Sequence, residues 1–265
     1  ALLVSAGHIL QKMVINAGVD KFVFAFIRIA VGLCIISSLL LYRKHKPKNI
    51  IQKHYRHFLV LGIGFSGLGI LMKLWGLQYT SATNASFIMS LSSATVILFA
   101  AIFLNERVGK GFYMISFLMI AGIYLVSTGG EMLVPQKGDM IIFALAFLIG
   151  AMRVYGKQVL KTLSVLETAF GRSLFGSFFL FILIWIFSPD GFSTIRDIKT
   201  LLLVMSNGIT FSGSILFFYK ALQLEGASNS GMFALLVPVI TLFLGWGILG
   251  ETVNLYQIIG GMIIL

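Results

Sequence analysis

The chain has 265 residues, of which 58% are hydrophobic and only 11% charged, with a formal net charge of +11 and a mean hydropathy of +0.98. A soluble body of this length needs far more polar surface, so a water-soluble enzyme or binding module is excluded and a lipid-embedded chain is implied. The single cysteine, Cys34, rules out an intramolecular disulfide and, lying in a span, is expected to be a packed, inert thiol.

Apolar runs of membrane-crossing length predict spans at about 1–17, 22–42, 58–79, 82–104, 111–128, 139–156, 167–187, 199–221, 227–249 and 254–265. Hydrocarbon forces every backbone donor and acceptor to pair, and runs of about 20 residues suit helices rather than the roughly ten-residue strands of a barrel. The fold class is therefore an all-α integral membrane protein of ten transmembrane helices. The first and last runs are short for spans and abut the ends of the sequence, so the natural chain is expected to continue past Ala1 and Leu265.

In chain order, the first span carries His8 near its middle and Lys12, and the second carries Arg28. His8 reads either as a hydrogen-bonded packing residue or as a solute or proton site, since histidine titrates near neutrality. The stretch Arg43–His57 then holds Arg43, Lys44, Lys46, Lys48, Lys53 and Arg56 and no acid. Beside a membrane span this is a topology determinant touching anionic headgroups rather than a nucleic-acid patch, and it places the segment in the cytoplasm. With ten spans both termini are then cytoplasmic. The loops assigned to that side carry eleven Lys and Arg in all, against four opposite (Lys21, Lys137, Arg196 and Lys199).

The third span contains Gly62-Ile-Gly64-Phe-Ser-Gly67, a literal G-x-G-x-x-G. No strand precedes it, so close helix packing explains the glycines and a dinucleotide site does not. Lys73 and Trp75 follow. The fourth span sets Ser86, Ser90 and Ser93 on one helical face, and Asn84-Ala-Ser86 is a glycosylation sequon stranded at the membrane boundary. The sixth span carries Arg153 and Tyr155 and ends at Lys157, and the seventh carries Arg172. The eighth aligns Asn207, Thr210 and Ser214 on one face and adds Phe211 and Tyr219. Each polar stripe reads either as helix packing or as the lining of a cavity. Trp75, Phe211 and Tyr219 are candidate aromatic walls.

The second half repeats the first. Gly76–Val108 aligns without a gap on Ala221–Val253, 145 residues on, so that Leu77-Gln78, Ala82, Asn84, Leu104, Glu106 and Val108 return as Leu222-Gln223, Ala227, Asn229, Leu249, Glu251 and Val253. Upstream, Lys12 matches Lys157, and Ala25-Phe26-x-Arg28 with Gly32 matches Ala169-Phe170-x-Arg172 with Gly176. Two units follow, 1–128 and 139–265. Five spans per unit is an odd number, so the second copy enters the membrane inverted, an arrangement that serves alternating access to a site between the halves.

All nine acids lie at span ends or in loops, whereas Lys12, Arg28, Lys73, Arg153 and Arg172 lie within spans. Lys12, Lys157, Arg28 and Arg172 form matching repeat pairs near helix ends, where long side chains snorkel to headgroups, and read as structural. Lys73 and Arg153 lack basic repeat-mates and are the candidates for neutralising a carboxylate or phosphate. Glu106 and Glu251, also repeat-mates, precede helix N-termini, where an anion is favoured. The candidate solute site therefore comprises His8, Lys73, Ser90, Ser93, Arg153, Tyr155, Thr210, Phe211, Ser214 and Tyr219. It is expected among spans one, three and four and their mates six, eight and nine, with His8, Ser93, Thr210 and Pro238 at similar depth. No metal-ligand spacing, P-loop or nucleophile motif is present, so no cofactor and no enzymatic role are expected.

Lys220-Ala221-Leu222-Gln223 followed by Gly226-Ala227-Ser228, Pro238 in the next span and Gly250-Glu251 closing it resemble the repeat of the drug/metabolite transporter superfamily, specifically its EamA-type members. The first half resembles it through Gly76-Leu77-Gln78-Tyr79-Thr80-Ser81-Ala82 and Asn105-Glu106-Arg107. Ser93 stands where Pro238 would repeat, which predicts a straighter fourth helix than ninth. The resemblance implies a secondary carrier of a small polar metabolite, such as an amino acid or other anionic or zwitterionic solute, in a bacterial cytoplasmic membrane. The alternatives are a cation or drug exporter of the same superfamily and, in a different class, a non-transporting membrane enzyme or assembly subunit.

Overall fold

The computed structural model describes the backbone of residues 1–43, 47–80, 82–104, 110–132, 136–234, 236–250 and 253–264. The description is helical: α1 (Leu2–Asn16), α2 (Lys21–Tyr42), α3 (Pro47–Leu59), a π-helical stretch (Val60–Leu68), α4 (Gly69–Tyr79), α5 (Ala82–Leu104), α6 (Lys110–Thr128), α7 (Asp139–Val159), α8 (Val165–Phe187), a 3₁₀ turn (Gly191–Thr194), α9 (Ile198–Ala234), α10 (Val237–Leu249) and α11 (Leu255–Ile264). Among the described residues five helical segments are long and apolar enough to cross a bilayer, namely Lys21–Tyr42, Asn49–Gly76, Asp139–Val159, Val165–Phe187 and Ile198–Ala227. Shorter apolar helices run over Leu91–Leu104, Val239–Ile248 and Leu255–Ile264.

Acids start helices rather than line their interiors. Asp20 accepts from the amides of Phe22 and Val23 at 2.9 and 3.0 Å to open α2. Ser164 and Glu167 form a reciprocal capping box at the start of α8, with bonds of 2.8 and 3.3 Å. Asp197 accepts from the Thr200 amide at 2.6 Å to open α9, and Asp139, first residue of α7, takes the Gln136 amide at 2.7 Å and the Thr80 hydroxyl. Each anion meets the unpaired amides and positive dipole end of its helix. Glu106 and Glu251, expected to do the same, lie outside the described residues.

Two elements differ from the predicted spans. The third extends well upstream of 58, because Pro47 sits at the first helical position, where its missing N–H costs nothing, and the basic stretch continues as α3. The backbone then widens into a π-helix over the G-x-G-x-x-G run. A Cβ on Gly62 would stand 2.7 Å from the Phe175 Cβ and 2.8 Å from the Gly176 amide, and one on Gly67 would strike the Phe179 ring. The glycines are there to admit α8. The predicted eighth and ninth spans meet at a kink in α9 at Gly226 (φ +87°), and the ninth then restarts as α10 with Pro238 as its second residue, while α5, with Ser93 at the matching place, is a single helix.

The helices gather into two compact units, residues 6–70 with 156–223 and residues 1–5, 71–155 and 224–265, so each unit draws on both sequence repeats. In the first unit α8 lies along α2 and the π-helical stretch, around cores that include Ala25, Ile29 and Leu180, and Val14, Val19, Phe24 and Val204. In the second, α6 packs on α5 and α11 around Ile123, Val239 and Ile264, with Ile142 and Leu145 of α7 in a further core. Trp185, Phe217 and Phe117, 71–79% exposed, leave apolar surface outside these cores that only lipid suits. Cys34 is exposed rather than packed. Its face of α2 lies away from Ile29, Ile36 and Leu40, which carry the burial, and a thiol costs little against hydrocarbon.

Candidate functional site

The unit built from residues 6–70 and 156–223 holds a set of buried polar groups that includes Ser66, Arg172, Ser173, Asn207 and Ser212. Arg28 projects from α2 with its guanidinium carbon 4.0 Å from the centroid of the Phe211 ring on α9. Arg172 projects from α8 with its guanidinium carbon 3.9 Å from the Phe65 ring and 5.9 Å from the Tyr219 ring. Its Nε donates to the Ser66 hydroxyl at 3.1 Å. The contacts are reciprocal across the repeat. An arginine of the first half lies on an aromatic of the second, and the repeat-mate arginine of the second half lies on an aromatic of the first.

Close backbone approach makes this possible. Gly208 of α9 sits where a Cβ would stand 2.7 Å from Val31 and 3.1 Å from the Arg28 carbonyl, and Gly32 faces Ser212 at 3.4 Å. Gly176 likewise meets Ser66, where a Cβ would stand 2.7 Å from the serine Cβ. The matching glycines seen in the sequence therefore bring α2 onto α9 and α8 onto the π-helical stretch, which sets each arginine against its ring.

Charge here is poorly compensated. Arg172 is 4% exposed and the two guanidinium groups feel each other's charge. A desolvated cation over an aromatic face gains about 2 kcal/mol. Burying a charge costs several kcal/mol even after relaxation. The Arg28 Nε, the Tyr219 hydroxyl, the Asn207 Oδ1 and the Ser173 hydroxyl are buried with no hydrogen-bond partner among the described residues. Arg172 thus does not snorkel outward as its position near a helix end suggests; Phe65 and Ser66 hold it inward.

The candidate residues divide between the two units. His8, Thr210, Phe211, Ser214 and Tyr219 belong to this one. The stripe on α9 is largely a packing device: Asn207 donates to the Gly7 carbonyl at 2.7 Å, Thr210 to the Asn207 carbonyl at 2.9 Å and Ser214 to the Thr210 carbonyl at 2.7 Å. His8 is exposed on α1 beside that joint. Phe211 and Tyr219 each lie against an arginine.

Lys73, Ser90, Ser93, Arg153 and Tyr155 fall in the other unit. Lys73, Arg153 and Tyr155 are half-buried on α4 and α7, and Ser93 is buried on α5. Nearby, Thr95 donates to the Ala146 carbonyl at 3.0 Å, and a Cβ on Gly150 would strike Thr95, so this part of α5 is fitted tightly to α7. Trp75 is 52% exposed. The side chains of Lys12, Ser86, Ser90 and Pro238 lie outside the described residues. The pair that repeat position near helix ends marks as structural, Arg28 and Arg172, lies among buried polar groups, and Arg153 in the other unit is a further arginine with buried guanidinium nitrogens. The signal for that pair was its repeat match together with aromatics on the facing spans.

Residues 1–128 and 136–265 each match the EamA-like transporter family. The chain belongs to that family. It is 25% identical over 245 residues to the uncharacterized transporter YyaM of Bacillus subtilis, covering 90% of this chain and 80% of that protein. It is also 25% identical over 246 residues to the riboflavin transporter ImpX of Fusobacterium nucleatum, covering 87% and 82%. A solved crystal structure shares the fold at a TM-score of 0.83 and 16% identity, covering 99% of this chain and 92% of the other. This EamA-family protein is therefore an integral membrane protein of a ten-helix repeat fold, from a family of transporters.

Proposed function

We propose that this EamA-family protein is a secondary, non-ATP transporter of a small anionic or zwitterionic organic metabolite, an amino acid or other organic acid. It works by alternating access between inverted five-helix repeats at 1–128 and 139–265. The observation that supports this reading is the charge inventory: arginines lie within spans whose acids are confined to the ends, and Arg172 is buried, so a negative charge to meet them is assigned to the solute. A cation or drug exporter asks for the opposite inventory. The odd number of spans per repeat supports inversion, and inversion supports a site reached from either face in turn. The distribution of Lys and Arg supports a cytoplasmic-membrane location with both termini in the cytoplasm.

Counterflow in proteoliposomes tests the proposal. Vesicles preloaded with unlabelled organic acids or amino acids should accumulate the labelled solute without ATP, and vesicles loaded with organic cations should not. Accumulation of cations alone would reverse the assignment. With no mid-membrane carboxylate to carry a proton, exchange or facilitated diffusion is the expected mode. A flux driven strongly by a pH gradient and lost on His8→Ala would replace that mode with proton coupling.

A further inference from the structure

We infer that the third span carries a built-in register switch: it holds one residue more than its repeat-mate, stored as the π-helical stretch Val60–Leu68, and shifting that residue along the span turns α4 during the transport cycle. The inference rests on the transport reading above and names the moving part in one of its repeats.

Two kinds of observation carry it. In sequence, Gly62-Ile63-Gly64-Phe65-Ser66-Gly67 returns as Gly208-Ile209-Thr210-Phe211-Ser212-Gly213, identical at five of six positions and 146 residues on, whereas Gly76 and the residues after it return 145 residues on. Between Gly67 and Gly76 the third span therefore has one residue more than the eighth has between Gly213 and Ala221. In the structure the two copies dock alike. Ser66 meets Gly176 as Ser212 meets Gly32, and Phe65 lies against Arg172 as Phe211 lies against Arg28. These contacts fix the 146-residue register independently of the sequence match.

A loop would absorb an extra residue freely, but this one is pinned on both sides. Upstream, Gly62 and Gly67 lie against Phe175, Gly176 and Phe179 of α8. Downstream, Gly76 lies against Ile142 of α7, where a Cβ would clash. Between these points the backbone widens to i→i+5 bonding, with the Gly69 amide donating to the Gly64 carbonyl, before α4 resumes the α-helical pattern. The eighth span, one residue shorter, runs through the same motif as an α-helix with no break before Gly226. The widening thus follows the extra residue rather than the motif.

A spare residue held in a helix has no unique place. As the widened turn passes along the span, each residue it passes moves by one helical position, a turn of about 100° and a rise of about 1.5 Å. Gly64 and Gly69 favour such a passage, because glycine is the residue least committed to the α-helix. The chain leaves its first compact unit between Ile70 and Leu71, at the end of the widened stretch, and half-buried Lys73 follows on α4. A shift that reaches α4 changes the face on which Lys73 stands. The eighth span has no spare residue, so the switch belongs to one repeat alone.

The test compares two one-residue deletions in the full chain, both at exposed positions: Leu68 in the third span and Phe217 in the eighth. Deleting Leu68 gives the third span the length of its mate. That variant should keep a thermal midpoint near the parent's, while its initial rate of counterflow, measured with a labelled mixture of amino acids and organic acids, should fall about tenfold or more. Deleting Phe217, where nothing is spare, should lower the midpoint steeply. Amide hydrogen exchange on the parent needs neither a variant nor a solute. Residues 69–72 should exchange about tenfold or more faster than their mates 215–218, because the shift breaks and remakes their bonds.

Counterflow at the parent rate after deletion of Leu68, or exchange at 69–72 no faster than at 215–218, would overturn the inference. Should the Leu68 deletion fail to fold, the exchange comparison decides alone. A parent protein without counterflow of any solute would remove the transport reading, and exchange would still decide whether the span switches.

Discussion

Arg28 and Arg172 occupy matching positions yet are supported unequally, and the difference has a sign that can be measured. Arg172 has a ring at 3.9 Å and a hydrogen bond to Ser66, whereas the Arg28 Nε finds no acceptor among the described residues. A buried charge without full compensation costs more than a packed apolar side chain of similar volume. In the absence of solute, Arg28→Met should leave the thermal midpoint unchanged or raise it, while Arg172→Met should lower it. A lower midpoint for Arg28→Met, with solute absent, would mean that the arginine is a structural strut. The sequence made the presence and repeat pairing of these arginines visible, but not their direction. Proximity to a helix end suggests snorkelling, and only the glycine-mediated approach of α9 and of the π-helical stretch turns both side chains inward.

At the scale of the element, caps and glycines fix where helices start and how closely they meet. Asp197 is held below the ordinary carboxylate range by the Thr200 amide first and the Thr200 hydroxyl second. A carboxylate lowered in the folded state contributes stability that is present above its unfolded value of about 4 and is lost as pH falls through the lowered one. Exchange of the Thr200 amide, corrected for its intrinsic rate, should therefore accelerate on acidification below about pH 4. Asp197→Asn should remove that step. Among the glycines, Gly67 and Gly247 make an opposed pair. Gly67 lies against the Phe179 ring, so Gly67→Leu should overpack the contact with α8 and cost about 1–3 kcal/mol of stability. Gly247, inside α10, has nothing within 4 Å of a Cβ, so Gly247→Ala should gain about 0.5–1 kcal/mol of helix stability. The ranking of thermal midpoints, Gly247→Ala above the parent and Gly67→Leu below, checks both. Spans are legible in sequence because hydropathy is local; the caps at Asp20, Ser164 and Asp197 are not read from it. The packing role of the Gly62–Gly67 run is legible too, since no strand precedes it, but the π-helical widening is not, because it depends on how α8 rests on those glycines.

For the whole molecule, two divisions of the chain coexist: a sequence repeat that splits it in the middle, and compact units that each take segments from both halves. That interleaving is what allows Arg28 of one repeat to rest on Phe211 of the other and Arg172 to rest on Phe65 in return. The repeat is legible because Leu77-Gln78 and Glu106 return in register 145 residues on; the interleaving is not, because hydropathy says nothing about which spans are neighbours. If the repeats are inverted, matched residues must face opposite sides of the membrane. In a Cys34→Ser background, single cysteines placed at Glu106 and Lys157 should react with an impermeant thiol reagent only from the cytoplasmic side, and cysteines at Glu251 and Lys199 only from the outside. Replacing Cys34 is necessary as well as convenient, because its thiol is exposed on α2 rather than packed away. Labelling of Glu106→Cys and Glu251→Cys from one and the same side would make the repeats parallel. Alternating access would then lose its symmetry argument, and with it the main physical support for a site reached from either face in turn.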